Sequence, residues 1–195
     1  IPFLARSITT MSLLNSKTVT IVGGGSVGST LAKAIDDSGK AKSVLIAARN
    51  PEKTKGKLAE SGGMDKLEVQ AMETAIAAGD ILILATPSAY SDEAIQEVGK
   101  SLGDVSGKII IDATNPLTEF QDGLQIRWPQ GTSGGEVLQN CLPDTTKVYK
   151  AFNTCGVEQM ASASGKDMFF CGPSGDDDDE ALAAEVVAAV GFNPI

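Results

Sequence analysis

Three glycines at Gly23, Gly25 and Gly28 follow the apolar run Thr18-Val19-Thr20-Ile21-Val22 and precede an Ala-rich stretch, which limits the start of this chain to strand, tight turn, helix. Each glycine has its own task. Gly23 permits the turn, Gly25 lets a phosphate approach bare backbone, and Gly28 lets the helix pack close to the strand. Amide N–H groups at a helix start have no intrahelical acceptor and point at whatever docks there. The pattern predicts a site for a dinucleotide pyrophosphate.

About twenty residues further on, an NAD site places a carboxylate on the adenosine ribose. Here the second apolar run, Ser43 to Ala48, ends instead in Arg49-Asn50-Pro51-Glu52-Lys53. A carboxylate repels a 2′-phosphate, whereas the planar guanidinium of Arg49 presents donors matched to phosphate oxygens. The expected nucleotide is therefore NADP(H). Charge-assisted hydrogen bonds of about 1.5–3 kcal/mol each predict a preference of roughly a hundredfold from Arg49 with Asn50 or Lys53. Lys55 and Lys57 read as the solvated side of a helix begun by Pro51.

The 195 residues suit a single domain, and a hydrophobic content of 42% with only 5% aromatics calls for a core of Val, Ile, Leu and Ala. The formal net charge of -9 argues against nucleic acid or an anionic membrane surface as partner. No run is long and apolar enough to span a bilayer. The three widely spaced cysteines contain no Cys-x-x-Cys pair, which points to a reducing, intracellular compartment without structural disulfides. Histidine is absent, and with it the commonest metal ligand and general acid–base; no metal site is expected.

Residues 1–16 are acid-free and rich in hydroxyls and read as an N-terminal extension, either the remnant of an organelle-targeting segment or an extra terminal helix. The expected location is accordingly cytoplasmic, or an organelle matrix if the extension is such a remnant. Residues 17–195 form the nucleotide-binding domain. Strand signals near 17–22, 43–48, 66–70, 81–85, 108–112, 147–152 and 167–171 alternate with helix signals near 26–38, 51–61, 71–78, 91–102, 134–141 and 177–190. That alternation predicts an α/β, Rossmann-type, doubly wound fold with a mostly parallel sheet. The acidic run Asp176 to Glu180 reads as the cap and first turn of the last helix. The stretch from Thr118 to Thr132 reads as a mobile loop able to act as a lid.

Ligands of such sheets sit beyond the carboxyl ends of the strands. Three of these ends carry suggestive residues: Ala85-Thr86-Pro87, Asp112-Ala113-Thr114-Asn115-Pro116-Leu117, and Lys150-Ala151-Phe152-Asn153-Thr154. Asn115 and Asn153 carry amides able to hold a carboxamide or an acceptor ring, and each is equally a turn former. Phe152 reads as core before it reads as a stacking platform.

Taken together with the glycine loop and Ala48-Arg49-Asn50-Pro51-Glu52-Lys53, these segments resemble the NADP oxidoreductases related to the 8-hydroxy-5-deazaflavin-dependent NADP reductase. The resemblance extends from Lys17 over nearly the whole chain. It implies that Ser26 and Val27 donate backbone amides to the pyrophosphate and that Arg49, Asn50 and Lys53 hold the 2′-phosphate. It further implies that Thr86, Pro87 and Asn115 line the nicotinamide side, that Ala85 and Pro116 also bind the cofactor, and that Ala151, Phe152, Asn153 and Thr154 border a small-molecule hydride acceptor. Members of that family generally continue with a segment that helps cover the acceptor. Since this sequence ends at Ile195, the expected acceptor pocket is open, completed by a second subunit of a homodimer, or lost together with that segment.

The expected chemistry is direct hydride transfer between nicotinamide and a flavin- or deazaflavin-like acceptor, with no catalytic side chain required beyond those that stack and orient the rings. Tyr90 and Tyr149 lack the Lys four residues later that a ketone reductase of the short-chain type would use. Two alternatives stay open: an imine reductase of the pyrroline-5-carboxylate reductase type, and a sensor that binds NADP(H) without turnover.

Overall fold

Six short strands assemble the centre of the molecule, and the four inner ones, rich in Val, Ile, Leu and Ala, are buried on both faces. The computed structural model describes residues 12–87, 89, 91–115, 128 and 131–195. In chain order it contains β1 (Thr18–Val22), α1 (Ser26–Ser38), β2 (Ser43–Ala48), α2 (Pro51–Glu60), β3 (Glu68–Ala71), α3 (Met72–Ala78) and β4 (Ile81–Leu84). There follow α4 (Asp92–Ser101), β5 (Ile109–Asp112), α5 (Gly134–Gln139), β6 (Lys147–Lys150), α6 (Val157–Met160), β7 (Asp167–Met168), α7 (Asp177–Val190) and β8 (Asn193–Pro194).

The sheet runs β3-β2-β1-β4-β5-β6 with all neighbours parallel. This is a Rossmann-type α/β domain, and its strand order reverses between β1 and β4, where a ligand crevice opens above the strand ends. Period-2 alternation sends Ile81 and Ile83 of β4 to one face and Leu82 and Leu84 to the other. The first face is covered by Leu31 and Ile35 of α1 and by Val186, Val187 and Val190 of α7. The second is covered by Ile76 of α3, Ile95 of α4 and Leu138 of α5. Thr20 of β1 is fully buried among them, its hydroxyl donating to the Ala75 carbonyl at 2.9 Å.

Helix ends follow the residues that favour them. Asn50, Ser91, Ser133 and Asp176 each accept a backbone N–H as N-caps of α2, α4, α5 and α7. Gly39 and Gly191 close α1 and α7 in the left-handed conformation.

Two expectations need correction. The strand foreseen over 147–152 stops at Lys150, because Phe152 turns to φ 67°, a conformation that no strand residue holds. The strand foreseen at 167–171 does not join the main sheet as a strand: β7 spans only Asp167–Met168 and pairs in parallel with β8. Only Cys171 reaches the sheet, in a single antiparallel bridge to Lys150.

The N-terminal side of β1 is held to the domain. Leu13–Ser16 form a 3-10 turn whose Leu14 is fully buried. The Glu185 carboxylate of α7 accepts from the Ser12 hydroxyl at 2.7 Å and from the Leu13 and Leu14 amides at 3.1 and 2.8 Å. Most of the expected lid, residues 118–127 with 129 and 130, lies outside the described residues, as do residues 1–11. Trp128 is described and donates its indole N–H to Asp92 at 2.8 Å.

Candidate functional site

The strand-order reversal places the glycine loop at the head of an open groove of about 960 Å³. Its floor and walls come from the β1–α1 loop, the β2–α2 junction, and the tips of β4 and β5. Gly23, Gly25, Ser26, Val27, Arg49, Asn50, Lys53, Ala85, Thr86, Pro87 and Asn115, all singled out from the sequence, line it. Pro116 lies outside the described residues.

The loop's geometry explains its glycines. Gly23 stands at φ 119°, and a Cβ there would come within 2.6 Å of the Ala85 carbonyl oxygen at the end of β4. A Cβ on Gly28 would lie 2.0 Å from the Gly23 carbonyl oxygen, so the first turn of α1 can sit on the loop only without a side chain. Gly28 thus acts beneath the groove, not on its surface. Gly25 differs: nothing lies within 4 Å of where its Cβ would be, and that space is the groove itself. Gly24 was not assigned a role from the sequence, yet a Cβ there would strike the Thr54 methyl at 2.5 Å. This contact fixes how closely α2 approaches the loop.

Alone among the four longest helices of the described residues, α1 begins without a side-chain cap, and no acidic residue occupies its first turn. The amides at this end, including those of Ser26 and Val27, lack intrahelical acceptors and face an electropositive helix start. An anion seated there would satisfy them. At Gly25 the space beside the backbone is open, so no side chain bars the approach of such an anion.

One end of the groove carries positive charge on a protein whose formal net charge is -9. Arg49 follows β2 directly, while Lys53 and Lys57 lie on successive turns of α2. Lys57 belongs to the groove, contrary to its reading as solvated surface; Lys55, on another face, pairs with Glu52 at 3.1 Å. The i,i+4 spacing of Lys53 and Lys57 carried that signal in the sequence. Asn50 serves as the α2 N-cap, its Oδ1 accepting the Lys53 amide at 3.0 Å, which leaves its side-chain nitrogen for other use. Thr54 and Met72 also line the groove and were missed, and Thr114, named from the sequence only as part of its strand-end segment, lines it too.

At the other end, the β5 and β6 tips are joined by polar contacts. Lys150 Nζ lies 2.9 Å from Asp112 Oδ2 and also donates to the Thr114 carbonyl. Asp112 Oδ1 accepts the Thr114 amide and hydroxyl at 2.9 and 2.7 Å. Asn115 donates its side-chain N–H to the Asn153 carbonyl at 3.0 Å. At the neighbouring tip of β4, the Thr86 hydroxyl is buried with no hydrogen-bond partner among the described residues. Thr86, Pro87 and Thr114 also border a second cavity of about 20 Å³ beneath the tips, room for roughly one water.

None of residues 151–154 is among the described residues that line the groove, and the segment touches one lining residue where the Asn153 carbonyl accepts the Asn115 side-chain N–H. Ala151 is buried and Phe152 fully so, its ring 6.2 Å from that of Phe192, so the Phe152 ring offers no stacking surface to a ligand. Asn153 and Thr154 remain accessible, Thr154 donating to the Met168 sulfur at 3.6 Å. Burial pushes the Cys155 thiol above its ordinary pKa, against a smaller opposing pull from Lys166, so it is no ready nucleophile. Among the described residues no cluster of His, Cys, Asp and Glu is suited to a metal ion, and no helix is long and apolar enough to cross a membrane.

Residues 18–116 match the sequence profile of a family described as NADP oxidoreductase, coenzyme F420-dependent. No curated protein matches the chain. Among solved structures, the chain resembles a protein assigned as an F420-dependent NADP reductase from Arthrobacter sp. FB24, with TM-score 0.72, 24% identity, and coverage of 92% of this chain and 84% of that one. It also resembles pyrroline carboxylate reductase from Plasmodium falciparum with NADP bound, at TM-score 0.61 and 12% identity over 93% of this chain and 58% of that one. A reductive aminase from Aspergillus terreus in complex with NADPH and ethyl-5-oxohexanoate gives TM-score 0.63 and 20% identity over 92% and 54%. The chain thus spans a little over half the length of the last two, and at these identities the likeness is one of fold.

Proposed function

We propose, for a chain that belongs to the family of coenzyme F420-dependent NADP oxidoreductases, that it binds NADP(H) in the groove above β1 and β4 and passes hydride between nicotinamide and a flavin- or deazaflavin-like acceptor. The observation that carries this reading is one continuous groove that joins an uncapped helix start at Gly25 to a cluster of Arg49, Lys53 and Lys57. Pyrophosphate at the α1 amides would leave the 2′-phosphate to the cations, with Arg49 as the principal contact. The bound nucleotide supplies the hydride. The protein supplies position: Ala85, Thr86 and Pro87 beyond β4 and Thr114 and Asn115 beyond the neighbouring β5 would orient the nicotinamide end, with the Thr86 hydroxyl a ready partner for a ligand atom. Asn153 and Thr154 are the part of the β6 segment still open to an acceptor.

Calorimetric titration with NADPH and NADH, then rapid mixing of the NADPH complex with a flavin, a deazaflavin and a ferric chelate, tests both halves. Tighter NADPH binding and oxidation by a planar acceptor are expected. Equal or tighter NADH binding would overturn the cofactor reading, and failure of every acceptor would overturn the transfer reading.

A further inference from the structure

The ion pair at the strand tips has a property that the groove as such does not explain. Asp112 and Lys150 are direct cross-strand partners in the parallel β5–β6 ladder, with side chains only 4% and 20% exposed. Burying two charges costs several kcal/mol per ion, and apolar residues would hold two strand tips together at least as well. Here the pair is kept where β5 enters the groove. Asp112 carries Thr114 through two hydrogen bonds, and Lys150 holds the Thr114 carbonyl, while Thr114 itself lines the groove. Lys150 and Asp112 stand behind Thr114 and do not line the groove themselves; the cations that line it, Arg49, Lys53 and Lys57, sit on the β2–α2 side.

We infer that Asp112 and Lys150 set the relative affinity of this site for oxidised and reduced nicotinamide, Lys150 acting as a positioning residue whose charge cancels that of Asp112. The inference rests on the NADP(H) reading above. Its physical basis is that the oxidised nicotinamide ring carries a positive charge and the reduced ring carries none. A balanced pair favours neither form. Either partner alone would place an uncompensated charge at the nicotinamide end, behind low-dielectric walls where it is felt over several ångströms. An unpaired Asp112 favours the oxidised cofactor, and an unpaired Lys150 favours the reduced one.

The test measures dissociation constants of NADP+, NADPH and 2′,5′-ADP for the intact protein and for Lys150→Met, Asp112→Asn, the double variant and Lys150→Arg. The fragment 2′,5′-ADP reports the adenine end alone and shows that each variant is folded. Through an effective dielectric near 20, one unit charge predicts a change of about tenfold in the ratio of the two dissociation constants. Lys150→Met is expected to move that ratio toward NADP+, Asp112→Asn toward NADPH, and the double variant and Lys150→Arg are expected to stay near the parent ratio. Should Lys150→Met fail to bind 2′,5′-ADP, Asp112→Asn decides by the direction of its shift. Equal loss of both cofactor forms, or shifts of the same sign in the two single variants, would overturn the inference and leave the pair a structural clamp. If the parent protein binds none of the three nucleotides, the NADP(H) reading itself falls.

Discussion

A Cβ atom on Gly28 would stand 2.0 Å from the carbonyl oxygen of Gly23, so the start of α1 and the glycine loop interlock at a point where no side chain fits. Gly25, three residues earlier in the same loop, meets nothing within 4 Å. Two glycines of one motif therefore make opposite demands, and substitution separates them. Gly28→Ala should lower stability by about 2–4 kcal/mol, since the obstructing atom is backbone and cannot rotate away. Gly25→Ala should leave the melting temperature nearly unchanged while weakening NADPH by about tenfold or more, because the methyl group occupies the space a phosphate needs. Thermal denaturation without ligand, beside calorimetry with NADPH, reads both.

Arg49→Ala should weaken NADPH by about a hundredfold and leave NADH nearly unchanged, as expected for loss of charge-assisted bonds to a group that NADH lacks. Lys57→Ala should cost only a few-fold, an effect of about 0.5–1 kcal/mol that fades as salt is raised, because a solvent-facing ammonium acts as a screened point charge. Titrations at two salt concentrations distinguish these behaviours.

Glu185 fastens the turn before β1 to α7. Its burial raises the carboxyl pKa, but hydrogen bonds from Ser12, Leu14 and Leu13, aided by Lys40, outweigh that and leave it below the ordinary 4.5. A carboxylate with a lowered folded-state pKa contributes stability that is fully present above its unfolded value and is lost as pH falls through the folded one. Glu185→Ala should therefore destabilise the protein by about 1–2 kcal/mol at neutral pH, and the gap to the parent should close under acid conditions. Denaturant midpoints across pH check this.

Tyr149 predicts the opposite end of the scale. Burial, then the negative charges of Asp179, Glu180 and Asp176, push its hydroxyl from 10.0 up to about 12, and that hydroxyl has no hydrogen-bond partner among the described residues. Between those two values the unfolded chain loses a proton that the folded protein keeps, so stability falls as pH rises above 10.0. Tyr149→Phe should be neutral or stabilising by up to about 1 kcal/mol and should flatten that alkaline decline, because it removes a buried polar group that gains nothing. Ultraviolet titration of phenolate absorbance, beside alkaline denaturation curves, provides the measurement.

What the sequence made legible was local. The glycine loop, the cap residues and the alternating runs each encode their own geometry, and α1 and α7 occupy 26–38 and 177–190 as their Ala-rich patterns and terminal glycines require. Arg49 and Lys53 were readable because strand-end position and residue type sufficed. Thr54 and Lys57 depend on the rotation of α2, which the Asn50 cap and the contact between Gly24 and Thr54 determine. The Asp112–Lys150 partnership was out of reach for a different reason: it arises only once β5 and β6 lie side by side in register. Likewise the strand pattern at 167–171 contains no sign that a left-handed Phe152 diverts the chain beforehand.

The bridge between Cys171 and Lys150 has a bearing on self-association. Its two backbone bonds, 2.7 and 3.1 Å long, engage the Lys150 N–H and C=O on the outer margin of β6. An intruding polypeptide seeking to extend the ladder at that rim would first have to strip away a segment of the chain's own backbone. Fibril-like templating is thereby blunted on this flank by the backbone of a single residue, beside the lysines at the two ends of β6.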